Sequence, residues 1–404
     1  MYTSTRGSLI ALSLSMLLAA LGTSIANVGL PTLAQAFGAS FHAVQWVVLA
    51  YLLTITAVIV SAGRLGDYLG RRRLLLAGLL LFALGCAGCA VSPSLPWLVG
   101  ARVLQGLGAA IMMAMTLAMV GDTVNKQSTG RVMGLLGTMS ALGTAMGPSV
   151  GGVLLSLWGW QALFLIGMPL AGLAAALAWR YLPVDANRRS GSPRDAFWTP
   201  LSDAGLRAGL IMSALVSAVI MATFVVGPFY LSRGLGLEPA WMGLAMAVGP
   251  GVAAITGLPA GYLTDRLGSQ RLTRVGLGVM LCAALWLSQV TGLATYLAAL
   301  IVLTAGYSLF QAANNTAVMS NVPAARRGTV SGLLNLSRNL GLIFGTSALG
   351  AVFARSSPDI THAAPHAVAA GLHITFAMAA GMILLASVIA WNRARTRYHS
   401  EQKN

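Results

Sequence analysis

The feature that most constrains this chain is a succession of apolar runs separated by short polar loops. A helix needs about 20 apolar residues to cross a bilayer, and twelve runs of that order can be counted. They fall at 8–30, 44–64, 74–92, 95–119, 132–155, 160–182, 206–230, 240–262, 273–290, 293–318, 329–354 and 367–392. Inside lipid a backbone must satisfy its own hydrogen bonds, and a helix does so within one segment. Only 8 % of the 404 residues are charged and 57 % are hydrophobic, with a mean hydropathy of +0.78. Soluble chains carry roughly a quarter charged residues, so this one lacks the means to build a water-facing surface. The composition predicts an all-α integral membrane protein with twelve transmembrane helices and excludes a soluble enzyme.

The formal charge of +16 points away from nucleic acid, because the basic residues are scattered through loops instead of forming one face. Of the 25 Lys and Arg, Arg233 and Arg355 lie in one set of alternating loops, and Arg102 and Arg338 lie inside apolar runs. All the rest fall in the other set of loops, at the run ends that border it, or in the termini. By the positive-inside rule that set is cytoplasmic, with both termini. Met1 to Ala20 has the look of a signal peptide, but the run continues to Leu30, long enough to span; it is expected to stay as the first helix.

A charged elbow divides the second run from the third: Gly63-Arg64-Leu65-Gly66-Asp67-Tyr68-Leu69-Gly70-Arg71-Arg72-Arg73. It returns at Gly261-Tyr262-Leu263-Thr264-Asp265-Arg266-Leu267-Gly268-Ser269-Gln270-Arg271, 198 positions later. The offset persists downstream, taking Gly130, Val132, Gly134, Leu135 and Leu136 to Gly328, Val330, Gly332, Leu333 and Leu334, and Gly143, Gly147 and Gly152 to Gly341, Gly345 and Gly350. The chain is one half written twice. The only long polar stretch, Pro183 to Ala204, falls midway. The expected organisation is therefore a six-helix bundle over 1–182, a cytoplasmic linker over 183–205, a second six-helix bundle over 206–392 and a cytoplasmic tail over 393–404, the two bundles being pseudo-symmetric.

The elbow resembles the signature G-x-x-x-D-(R/K)-x-G-R-(R/K) of the major facilitator superfamily, with Tyr68 where a basic residue is usual, and with the repeat it identifies a resemblance over essentially the whole length. The resemblance implies a transporter that exposes a central site to one side of the membrane at a time. It also implies a cytoplasmic gate at the elbow, made of Gly63, Asp67, Gly70, Arg71, Arg72, Asp122 and, in the second half, Asp265. Asp67 would sit against the start of helix eleven near Thr329 to Gly332, where peptide dipoles favour a carboxylate, and Asp122 would pair with Arg71. The bland reading is topology alone, with positive-inside arginines beside a solvated acid.

Gly143, Gly147, Pro148, Gly151 and Gly152 set small residues about one turn apart on helix five, which lets another helix approach closely. They resemble the glycine-proline stretch of the antiporter branches, where it lines the interface between the halves. Thr346 replaces the proline in the second half. Leu21 to Pro31 and Leu334 to Gly341 resemble stretches of fourteen-helix drug–proton antiporters, though Gly22 stands where those often carry an aspartate.

All nine acids, Asp67, Asp122, Asp185, Asp195, Asp203, Glu238, Asp265, Asp359 and Glu401, lie in loops, at helix ends or in the tail. No carboxylate remains at mid-membrane to exchange a proton for a cationic substrate. What the membrane does hold is Arg102 and Arg338. Arg102 shares a helix face with Gln105, Ala109, Met112 and Thr116, an arrangement similar to the family's R-x-x-Q-G stretch, whose arginine is linked to proton transfer; Arg338 lies beside Asn335 and Asn339. Either arginine serves coupling or substrate, or else clasps helix-end carbonyls. Asn27, Tyr51, Phe229, Gln311, Asn314 and Asn315 complete a candidate cavity of apolar and aromatic walls with a few amides. Trp46, Tyr51, Trp97 and Trp241 also suit the interfacial belts.

Cys86 and Cys89 form a C-x-x-C inside an apolar run without further ligands near in sequence, which reads as small-residue packing. Asp359, His362, His366 and His373 cluster near the last outer loop, where Pro358 and Pro365 suit an ordinary loop, and no metal is expected. No phosphate-binding loop and no G-x-S-x-G or H-E-x-x-H occurs. The expectation is therefore a non-enzymatic secondary transporter with no cofactor, driven by the proton gradient. It is expected to be monomeric in a cell inner membrane, with a small-molecule substrate and the bilayer as its partners. The leading substrate class is hydrophobic or amphipathic drug-like compounds exported by antiport; the alternative is an anionic or neutral metabolite.

Overall fold

The computed structural model describes residues 5–123, 129–183, 203–320, 322, 327–356 and 363–401. These form helices in chain order: α1 Thr5–Ala36, α2 Phe41–Leu69, α3 Arg71–Ala90, α4 Leu95–Thr123 and α5 Thr129–Trp158. α6 covers Ala162–Tyr181 and α7 covers Ala204–Gly234. They are followed by α8 Pro239–Leu267, α9 Ser269–Leu287 and α10 Leu293–Met319. α11 comprises Arg327–Phe344, a π-helical turn Gly345–Leu349 and Gly350–Ser356, and α12 is Pro365–Glu401. Ten of these twelve are long and apolar enough to cross a membrane by length and composition. The others are α5, whose apolar part is Leu142–Trp158, and α9, which opens with Gln270, Arg271 and Arg274. Long basic side chains at such an end reach back toward water while their stems stay in the apolar layer.

Each elbow breaks its helix pair in one way. α2 ends at Gly70 with φ 92° and α8 ends at Gly268 with φ 85°, a region that costs a residue with a Cβ dearly. The helix closes with Gly70 N–H on Gly66 O at 3.1 Å, and the next opens with Leu74 N–H on Gly70 O at 3.0 Å; Gly268 N–H on Thr264 O and Leu272 N–H on Gly268 O repeat this at 3.0 and 3.2 Å. Two other starts, those of α2 and α7, are capped by side chains. Ser40 Oγ accepts from Ala43 N–H at 3.3 Å, and Asp203 carboxylate accepts from Gly205 N–H at 2.7 Å, each satisfying a donor that the first turn leaves free.

The helices outrun the apolar runs at several ends. α2 continues five residues past the run ending at 64, through the elbow to Leu69, and α12 continues to Glu401, through residues expected as a tail. Neither stretch contains proline, and glycine is sparse, so nothing in the local chemistry stops the backbone ladder.

The chain divides into two compact units, Met1–Ser192 with Leu237–Ala247, and Pro193–Gly236 with Val248–Asn404. In the first unit α1 packs on α5, α6 and α4, α3 packs on α4 and α6, and α2 packs on α4. In the second, α7 packs on α11, α12 and α10, and α9 packs on α10 and α12. The closest approaches recur at the repeat offset. In the first unit a Cβ at Gly78 would lie 2.6 Å from Ile111 Cγ2, and one at Gly108 would lie 2.6 Å from Gly78 O. In the second unit a Cβ at Gly276 would lie 2.6 Å from Phe310 N, and one at Gly306 would lie 3.0 Å from Gly276 O. Small residues let these backbones touch, which is how helices gain packing energy in lipid.

Candidate functional site

In the first unit the polar centre is Arg102 on α4, fully buried at 0 % exposure. Its Nε–H donates to Val47 O of α2 at 2.8 Å, Nη1 donates to Gln105 Oε1 at 2.5 Å, and Nη2 donates to Gly22 O of α1 at 3.0 Å. Gln105 Nε2 in turn points at Cys86 Sγ of α3 at 3.1 Å. The guanidinium lies 4.1 Å from the Tyr51 ring centroid and 5.9 Å from that of Phe164. Tyr51 hydroxyl donates to Ala19 O at 2.8 Å. One cation thus ties α1, α2 and α4 directly and α3 through Gln105. The aromatic faces screen it from lipid through cation–π attraction. The two carbonyls it holds, Gly22 O and Val47 O, lie inside α1 and α2 and not at their ends.

The other first-unit candidates are buried as well. Met112 is fully buried in the bundle core. Asn27 is 1 % exposed; its Nδ2 donates to Thr23 O at 3.4 Å, while its Oδ1 is buried without a hydrogen-bond partner. Thr116 Oγ1, one turn beyond Met112, is also buried without one. Cys86 and Cys89 are buried free thiols. Tyr51 is buried, which removes it from the interfacial belt; Trp46, Trp97 and Trp241 are exposed.

The glycines of α5 face two helices. Cβ atoms at Gly143, Gly147 and Gly151 would collide with α1 of their own unit, at Leu17 O and Ala20, at Ser24 and Ile25, and at Val28 and Ile25 respectively. Gly152 instead abuts Gly243 and Pro239 O, and Gly243 abuts Pro148 O; these residues of α8 belong to the first unit. Gly143, Gly147 and Gly151 therefore carry the packing of α5 on α1.

At the elbow, Arg71 Nη1 donates to Ala118 O of α4 at 2.8 Å, a cation at a helix carboxyl end, where the dipole favours it. Arg72 donates to Trp179 O and lies 5.4 Å from that indole ring. Gly63 and Gly70 are half-buried, and Asp265 is exposed. Asp67 and Asp122 sit in the last turns of α2 and α4; their side chains, like Asp359 and His362, lie outside the described residues.

The second unit has no buried arginine clasp of this kind among its described residues. Asn314 of α10 is 0 % exposed; its Nδ2 donates to Gly209 O of α7 at 3.0 Å. Ser337 of α11 bonds Leu210 O at 2.5 Å, and Thr256 of α8 donates to Ser308 of α10 at 2.8 Å. Three buried oxygens have no hydrogen-bond partner: Asn314 Oδ1, Gln311 Oε1 and Ser217 Oγ. Phe229 is buried with its ring centroid 6.1 Å from that of Phe353. Asn315 and Arg338 are half-buried and Asn335 is exposed. Ser217 escaped the sequence reading because one serine in a long apolar helix reads as a small packing residue; its spacing of i, i+4, i+8 from Gly209 and Ser213 was the available signal.

The model described as Major Facilitator Superfamily matches residues 12–346. The chain belongs to that superfamily. It is similar to the riboflavin transporter RibZ of Clostridioides difficile (strain 630), with 26 % identity over 401 residues covering 86 % of this chain and 88 % of that one. It is also similar to the multidrug efflux pump LfrA of Mycolicibacterium smegmatis, with 30 % identity over 416 residues covering 87 % and 82 %. In fold it matches the crystal structure of a bacterial homolog to human lysosomal transporter Spinster, with TM-score 0.83, 18 % identity and 96 % of each chain covered. The chain is thus a multi-pass membrane transporter of the superfamily, with two pseudo-symmetric six-helix bundles.

Proposed function

We propose that this superfamily member is a proton-coupled antiporter that exports hydrophobic or amphipathic drug-like compounds by alternating access, conferring drug resistance. The observation that carries the reading is the Gly143–Gly152 stretch of α5, an antiporter-type glycine-proline pattern whose glycines seat that helix on α1 at backbone distance. Near-full-length similarity to a multidrug efflux pump supports it. In this reading the protein is a monomer in a bacterial inner membrane with both termini in the cytoplasm, uses no cofactor beyond the proton gradient and does not engage nucleic acid. Asp67, Arg71 and Asp122 form its cytoplasmic gate.

A second reading, transport of a neutral or anionic metabolite, is favoured by the placement of every acid at helix ends, in loops or in the tail and by the likeness to a riboflavin transporter. A pump for cations ordinarily trades them against an intramembrane carboxylate.

Everted vesicles with an acidified lumen and a pH-sensitive dye separate the two. Alkalinisation on adding a cationic or amphipathic drug supports antiport; a response to riboflavin alone supports the second reading; no response to either, with the protein inserted, sinks proton coupling. Asp67→Asn should keep insertion and lower transport about ten-fold, the loss of one charge–dipole contact. Unchanged transport removes the gate.

A further inference from the structure

Asn314, Gln311 and Ser217 leave polar oxygens buried and unpartnered in one unit, and the helix geometry places them along one seam. Gly209, Ser213 and Ser217 follow one another at four-residue steps and so share a face of α7. Asn314 reaches that face through Gly209 O, and Gln311 stands one turn away from Asn314 on the same side of α10. Successive spans alternate in direction, so α7 and α10 run antiparallel, and the turn from Asn314 to Gln311 advances in the direction from Gly209 to Ser217.

The chemistry of the three atoms is one-sided. Asn314 Nδ2 is committed to a backbone carbonyl, which fixes the amide orientation and leaves its carbonyl oxygen as the group presented. Gln311 presents its carbonyl oxygen, and Ser217 presents a hydroxyl that can accept. Buried polar atoms in native proteins are almost always hydrogen-bonded, so such a set calls for a ligand or water that donates. Carbonyl oxygens in a low-dielectric seam repel an anion.

From this we infer that the α7–α10 seam is a hydrogen-bond-acceptor subsite, and that the compounds this transporter binds are neutral or cationic and carry N–H or O–H donors. The inference rests on the efflux reading for the role of the site, and it narrows the substrate class to exclude both donor-free lipophilic cations and anions.

The test is binding to the purified full-length protein in detergent, followed by fluorescence. The matched probes are ethidium and 5-ethyl-6-phenylphenanthridinium, which share charge and rings and differ by two amino groups. Ethidium should bind about ten-fold more tightly, the worth of one to two net hydrogen bonds. Ser217→Ala and Gln311→Met, which surrender no hydrogen bond within the protein, should bring the two affinities together while the melting temperature holds or rises. A merely structural role would instead lower the melting temperature and leave the preference intact. Equal binding of the two probes by the wild type, binding of neither, or a preference untouched in both variants would overturn the assignment and leave the oxygens as a seat for water. Because binding needs no proton gradient, a protein that prefers ethidium yet moves no protons in vesicles upholds the subsite and fails only the antiport reading.

Discussion

At matching positions of the repeat the two halves use the same glycines and different polar residues. Gly78 and Gly108 bring α3 onto α4, and Gly276 and Gly306, 198 residues later, bring α9 onto α10. Yet Tyr51, Arg102 and Gln105 of the first half correspond to Gly249, Leu300 and Leu303 of the second, and Thr116 corresponds to Asn314. The glycines are what two helices need in order to touch, so both halves keep them. The polar groups are free to diverge, and they diverge in kind. In the first half a cation has donors spent on Val47 O, Gly22 O and Gln105, which ties three helices together, and two oxygens, Asn27 Oδ1 and Thr116 Oγ1, remain unspent. In the second half no such cation stands among the described residues, and three amide and hydroxyl oxygens remain unspent.

The comparison breaks most visibly at Arg102. Arg102→Leu installs the residue of the second half and removes three buried hydrogen bonds, leaving Gln105 Oε1 without its donor. A loss of about 3 kcal/mol is expected, read as a large fall in the melting temperature together with lost transport. If the melting temperature holds and transport alone disappears, Arg102 acts in coupling and the clasp is incidental.

The scaffold side is tested by Gly108→Ala against Gly306→Ala. A Cβ at Gly108 meets backbone of α3, nearest at Phe82 N and then at 2.6 Å from Gly78 O, whereas one at Gly306 meets Met280 Cγ at 2.9 Å and backbone only at 3.0 Å, at Gly276 O and Met280 N. Overpacking costs about 1 to 3 kcal/mol, against a helix-propensity gain of about 1 kcal/mol on replacing glycine by alanine. Gly108→Ala should therefore lose about 1 to 2 kcal/mol and Gly306→Ala should be near neutral. Equal losses in a thermal melt would mean that the two seams are equally rigid.

These outcomes bear on what the sequence could disclose. The twelve helices and both elbows were legible, because apolar length and a positive-φ glycine between helices are local properties of Gly70 and Gly268 and their neighbours. Close approach at Gly143, Gly147 and Gly151 was legible too, but its partner was not, since the stripe specifies a small surface and not which helix lies on it; α1 does. Arg102 was marked as costly and its role left open, because two of its acceptors, Val47 O and Gly22 O, are backbone atoms that every residue possesses. Ser217 was missed for the converse reason: its interest lies in a hydrogen bond it does not make.

The smallest expected effect carries the opposite sign. Thr116 occupies the position of Asn314 in the repeat, and its hydroxyl is buried without a partner, whereas Thr54 and Thr375 each donate to the carbonyl four residues back at 2.7 Å. An unsatisfied buried hydroxyl costs about 1 to 3 kcal/mol. Thr116→Val keeps the shape and deletes that cost, so the variant should melt higher, by an amount corresponding to about 1 kcal/mol. Should transport fall as stability rises, the first half also keeps a polar atom for a ligand, and the contrast with Asn314 becomes one of degree. Should transport hold, the unspent oxygens that matter are those of the second half, and the division between a stiffened bundle and a binding bundle stands.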